Sequence, residues 1–87
     1  MCTYLTETIK ITGSGKGAGG WFAVSDASVY FDHPVHALAE HTLNIDFRNP
    51  AKGPAARVAV ELTAESAREL ARAIEAALAS APPGMVA

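Results

Sequence analysis

The patterning of this chain predicts an α+β domain, a four-stranded antiparallel sheet followed by one C-terminal helix in a two-layer sandwich. Residues 40–48 alternate cleanly between apolar and polar side chains, the period of a strand with one buried face. Ala67, Leu70, Ala71, Ile74 and Leu78 follow the stripe of an amphipathic helix. Clusters of glycine and proline at residues 13–20 and 49–54 punctuate the strand-like stretches. Sequential strands joined by such turns pair as antiparallel neighbours, and one helix can cover the apolar face they create.

The first strand spans about residues 3–12, with Leu5, Ile9 and Ile11 on one parity and Tyr4, Thr6, Thr8 and Lys10 on the other. Glu7 interrupts it, a carboxylate on the apolar parity. The next eight residues, Gly13 to Gly20, include five glycines and read as a flexible hairpin loop. A second strand covers about residues 21–33. Trp21, Ala23, Ala27, Val29 and Phe31 share one face, and Phe22 and Val24 on the opposite parity call for a bulge near Ser25-Asp26. Pro34 holds His33 extended. The third strand occupies about residues 40–48, with His41, Leu43, Ile45 and Phe47 inward, and Asn49-Pro50 ends it. The fourth covers about residues 57–62, with Val58, Val60 and Leu62 inward. Thr63 is a natural N-cap, and Glu65 in the first turn suits the helix dipole. The helix runs to about Ser80, where Pro82-Pro83-Gly84 stops it.

Eighty-seven residues make one domain, assigned to 1–80 with a loose tail over 81–87. A chain of this size buries only a modest core, so a homodimer is a natural expectation. The composition, 49% apolar and 18% charged, is globular. The formal charge of −2 mixes both signs along the chain, which leaves no footprint for nucleic acid. The start of the chain lacks the charged and apolar regions of a signal peptide, and no stretch approaches the ~18 apolar residues of a spanning helix. A single cysteine, Cys2, permits no internal disulfide. The expectation is a soluble, cytoplasmic protein without membrane or nucleic-acid partners.

Chemistry concentrates in one place. All three histidines, His33, His36 and His41, fall within nine residues. In an antiparallel meander they gather at one end of the sheet, the end where the first strand begins with Cys2. Inward parity for His33, His41 and Glu7 puts three polar groups where the pattern asks for apolar ones, as happens at functional sites. The leading expectation is therefore a metal ion held by His33, His36 and His41, with Glu7 or Cys2 completing the sphere. Zinc suits such a set best; thiolate would also admit copper, and carboxylate iron or manganese. An open coordination position would allow Lewis-acid or water-activating chemistry. The alternative for the same residues is structural, the histidines satisfying backbone groups at strand ends. Two further readings stand beside metal binding. One is a metal-free enzyme of small-molecule metabolism, with Glu7 and His41 as an acid–base pair. The other is a non-catalytic module that dimerises through its sheet. Gly15-Lys16 is not a phosphate loop, because Gly17 replaces the required hydroxyl residue and a strand follows instead of a helix.

The segments Met1-Cys2-Thr3-Tyr4 with Thr6-Glu7, Gly20-Trp21-Phe22, Tyr30 through His36, Glu40 through Phe47 and Leu62 through Ala67 are similar to those of a family of short bacterial proteins catalogued as a domain of unknown function. The resemblance spans nearly the whole chain and implies a complete natural protein. It brings no activity and no catalytic residues with it.

Overall fold

A computed structural model describes residues 5–86. Four strands, β1 (Thr6–Gly17), β2 (Gly20–Asp32), β3 (Thr42–Arg48) and β4 (Arg57–Leu62), form one antiparallel sheet in the order β1-β2-β3-β4. A single α-helix, α1 (Ala64–Ser80), follows. Short 3-10 turns sit at Pro50–Lys52 and, after α1, at Pro83–Met85. This is the predicted α+β meander.

Register sorts the side chains onto two faces, because residues directly opposite in an antiparallel pair share a face. The rows Ala27–Phe47–Val58, Val29–Ile45–Val60 and Phe31–Leu43–Leu62 build the apolar face. Tyr30–Asn44–Glu61 and Ser28–Asp46–Ala59 build the polar one. On β1, Ile9 opposes Ala27 and Glu7 opposes Val29, so both lie on the apolar side of the sheet.

The glycine segment is not the loop that its composition suggests. β1 continues through Gly17, and only Ala18 and Gly19 turn the hairpin, with Gly17 opposite Gly20. Gly20 takes φ +110°, a conformation that suits glycine alone. The register shifts between Lys10 and Gly13, opposite Ser25, which marks a bulge in β1. Beyond it the hairpin curls back over the apolar face. A Cβ on Gly15 would stand 3.2 Å from Val24 Cγ1 and 3.6 Å from Val58 Cγ2, and one on Gly17 would stand 3.3 Å from the Arg57 carbonyl oxygen. Glycine is needed here for close approach. The parity switch at Phe22 and Val24 is real, and the extra residue that absorbs it sits on the neighbouring strand.

Two caps hold the remaining connections. Asn49 is buried; its Oδ1 accepts the Ala51 N–H at 3.1 Å and its Nδ2 donates to the Ala23 carbonyl at 2.8 Å. This ties the β3–β4 connection to β2. Thr63 Oγ1 accepts the Ser66 N–H at 3.1 Å and starts α1 as predicted.

α1 covers less of the sheet than a full second layer would. Ala64 and Ala67 are half-buried, and every helical residue after Ala67 is exposed. The stripe residues Leu70, Ile74 and Leu78 are 42%, 52% and 52% exposed. Among the described residues only Val24 and Ala27 are buried apolar side chains.

Candidate functional site

The β2–β3 connection, residues 33–41, carries all three histidines at one end of the sheet, where β1 also begins with Thr6 opposite Tyr30. β3 starts at Thr42, so His41 lies just before the strand. Its ring stacks on Phe31 of β2 at a centroid distance of 5.8 Å and on His33 at 4.5 Å, with interplanar angles of 14° and 26°. His33 is further fixed through two atoms. Its backbone N–H donates to Asp32 Oδ1 at 2.7 Å, and its ring Nδ1 lies 2.9 Å from the Glu40 carbonyl oxygen. A carbonyl can only accept, so the proton of that bond sits on Nδ1 and the neutral ring presents the lone pair of Nε2.

The connection folds toward the polar face and is anchored by a residue that the histidine pattern did not single out. The Glu61 carboxylate of β4 accepts the backbone N–H groups of Val35, His36 and Ala37, at 3.0 Å from His36 and 2.9 Å from Ala37. These donations, Val35's foremost, hold the Glu61 carboxyl below its ordinary 4.5 against the opposing effect of burial. The only sequence signal for this was an acidic residue on the outward parity of β4, which looks the same whether it faces water or a loop.

Between connection and sheet lies a concavity of about 770 Å³, lined by Tyr30, His33, His36, Asn44, Asp46 and Arg57 among others. Its floor is a closed network. Asp46 Oδ1 accepts from Arg57 Nη2 at 2.7 Å and Nε at 3.2 Å, and Oδ2 accepts from the Tyr30 hydroxyl at 3.2 Å. Burial first, and then the Asp46 charge, push the Tyr30 hydroxyl above its ordinary 10.0. Deeper still, fully buried Thr42 donates to Asn44 Oδ1 at 2.7 Å. This face therefore offers a shaped polar floor whose carboxylates are already paired.

The predicted site residues separate into groups. His33 and His41 come together ring on ring. His36 lines the concavity, with its backbone held by Glu61. Glu7 stands on β1 opposite Val29, four register positions from His33 and two strands from β3. Standard strand geometry puts its Cα roughly 16 Å from that of His41, too far for the two to share a proton as an acid–base pair. Cys2 lies outside the described residues. Among the described residues no group of three or more His, Cys, Asp or Glu side chains is arranged to hold a metal ion.

The chain belongs to a family of unknown function, DUF6295. The family's model matches residues 1–87. No curated protein and no solved structure matches the chain. Among the described residues no helix is long and apolar enough to cross a membrane. For this DUF6295 member the functional argument therefore stands on its own residues.

Proposed function

We propose that the protein binds a transition metal ion at the rim made by His33 and His41, with His36 as a third donor and Cys2 as a further candidate from its place in the sequence. Zinc is the first choice; copper or iron are the alternatives. The supporting observation is the Glu40 carbonyl on His33 Nδ1, 2.9 Å away, beside a second imidazole at 4.5 Å. Metal-ligating histidines characteristically donate their other ring N–H to a carbonyl or carboxylate, which fixes the tautomer and aims the free nitrogen. An imidazole binds metal in its own plane, and two planes inclined by 26° do not converge nearby. Binding therefore requires the His41 ring to turn relative to His33, whose Nδ1 bond to the Glu40 carbonyl stays in place. Two or three imidazoles leave coordination positions open, where the metal can polarise a bound molecule or activate water. In this reading the protein is a cytoplasmic homodimer. Glu7 is not among the donors, given its register position.

Metal analysis of untagged protein, followed by titration with Zn(II), Cu(II) and Fe(II), tests the proposal. One equivalent is expected, lost in both His33→Gln and His41→Gln while the far-ultraviolet circular dichroism stays unchanged. Less than about a tenth of an equivalent of any metal, with no saturable binding on titration, would overturn it.

A further inference from the structure

We infer that two copies of this chain associate through α1, in an antiparallel helix pair across a two-fold axis that closes the wedge between helix and sheet. The inference is independent of the histidine rim. The wedge is a groove of about 340 Å³ lined by Val29, Leu43, Ile45, Leu62, Leu70 and Ile74 among others, almost wholly apolar. It stays open because Ala64 and Ala67 alone on α1 are half-buried, and every helical residue beyond them is exposed. The exposed apolar surface continues across the sheet to β1, where Ile9 is 51% exposed, and Leu5 just before the strand is 64% exposed.

The exposed area allows the occupant to be another folded protein surface. A compact monomer of 9.0 kDa exposes about 4,900 Å² by the usual scaling. This chain exposes 6442 Å². The excess, about 1,600 Å², is spread over the whole chain, part of it at Trp21, Val35 and Leu38 away from the wedge, and it leaves room for the roughly 800 Å² that one side of a standard interface buries. The radius of gyration agrees, at 14.4 Å against about 12 Å for a compact chain of this length.

Charge identifies that surface as a second copy. Arg68 and Glu75 are seven residues apart on α1, two helical turns, and so share one flank of the apolar stripe. In an antiparallel pair the same flank of each helix meets across the axis. With the two-fold near residues 71 and 72, Arg68 of each copy stands opposite Glu75 of the other, while Ala67, Ala71, Ile74 and Leu78 form the seam between the helices and Leu70 lies on the opposite flank, in the wedge. The helix is thus self-complementary in both apolar pattern and charge, as an isologous interface requires.

Sedimentation equilibrium on the untagged full chain tests this. The expected mass is twice 9.0 kDa at micromolar concentration. Leu70→Glu is expected to yield monomer or to fail to fold. The charge variants therefore carry the decision. Arg68→Glu and Glu75→Arg alone each weaken association several-fold, because each places like charges across the axis twice, and the double exchange restores it. A monomer at 100-fold higher concentration overturns the inference. So does a dimer indifferent to the single charge changes, or single losses that the double exchange does not repair; a different partner or a different face would then cover the wedge.

Discussion

At the scale of single residues, the carboxylate of Glu61 does more to shape the candidate site than any histidine. Three consecutive backbone N–H groups converge on it. A connection of nine residues with no regular structure needs such an acceptor, since its own amides have no ladder to join. Because the folded form holds Glu61 below its ordinary 4.5, the anchoring contributes fully above that value and is lost as pH falls through the lowered folded value. Amide-exchange protection at Val35, His36 and Ala37 is therefore expected to be flat at neutral pH and to drop only below about pH 4.5, while the β2–β3 ladder keeps its protection. Glu61→Gln should show the loss already at pH 7, with no further acid step. Retained protection in the variant would mean that the connection is held by its side chains instead. The histidine pair was legible only in part. Parity brought His33 and His41 to the same rim, but one-dimensional spacing says nothing of ring orientation, and the stack on Phe31 is a matter of rotamers.

At the scale of elements, the sequence was most informative where one local signal has one structural outcome, and least where the same signal serves two. Thr63 followed by an apolar stripe admits little but a helix start, and α1 begins at Ala64. The alternation over residues 42–48 admits little but a strand with two different faces, which β3 is. Glycine is ambiguous, because freedom of the backbone and closeness of a neighbour both select it. In β1 the second reason governs, since Gly15 and Gly17 lie where the curled hairpin meets Val24, Val58 and the backbone of Arg57. Two substitutions separate the reasons. Gly17→Val pushes a branched side chain against a carbonyl 3.3 Å from its Cβ, and should destabilise the fold by about 1–3 kcal/mol as overpacking does. Gly19→Ala meets nothing within 4 Å and should be neutral to within about 0.5 kcal/mol. Urea midpoints of the two variants check this; equal effects would mean that the segment is a free loop after all. The same reasoning explains why the partial cover by α1 was not foreseen. An apolar stripe shows that a helix face will be buried, but not which surface, or whose, will bury it.

At the scale of the whole molecule, a sheet with one apolar face and a helix with one apolar stripe have between them, among the described residues, only Val24 and Ala27 as buried apolar side chains. Hydrophobic burial at ~25 cal/mol per Å² has to outweigh roughly 1–2 kcal/mol of backbone entropy per residue, and a chain that leaves Leu70, Ile74 and Leu78 half in water forgoes much of that term. If the second copy supplies the missing burial, folding and association are one reaction, and stability must depend on concentration. A dimer that unfolds directly to two chains loses about 1.4 kcal/mol of stability for each tenfold dilution. Spread over the unfolding entropy of two 87-residue chains, that lowers the melting midpoint by about 4 °C per decade. Thermal unfolding followed by circular dichroism from about 1 to 100 µM should therefore show a span near 8 °C, with the steepness preserved. Arg68→Glu should show a lower midpoint with the same slope, and the double exchange with Glu75→Arg should recover it. A midpoint independent of concentration would mean that each copy carries enough burial alone, and that the wedge under α1 contributes nothing to holding the fold.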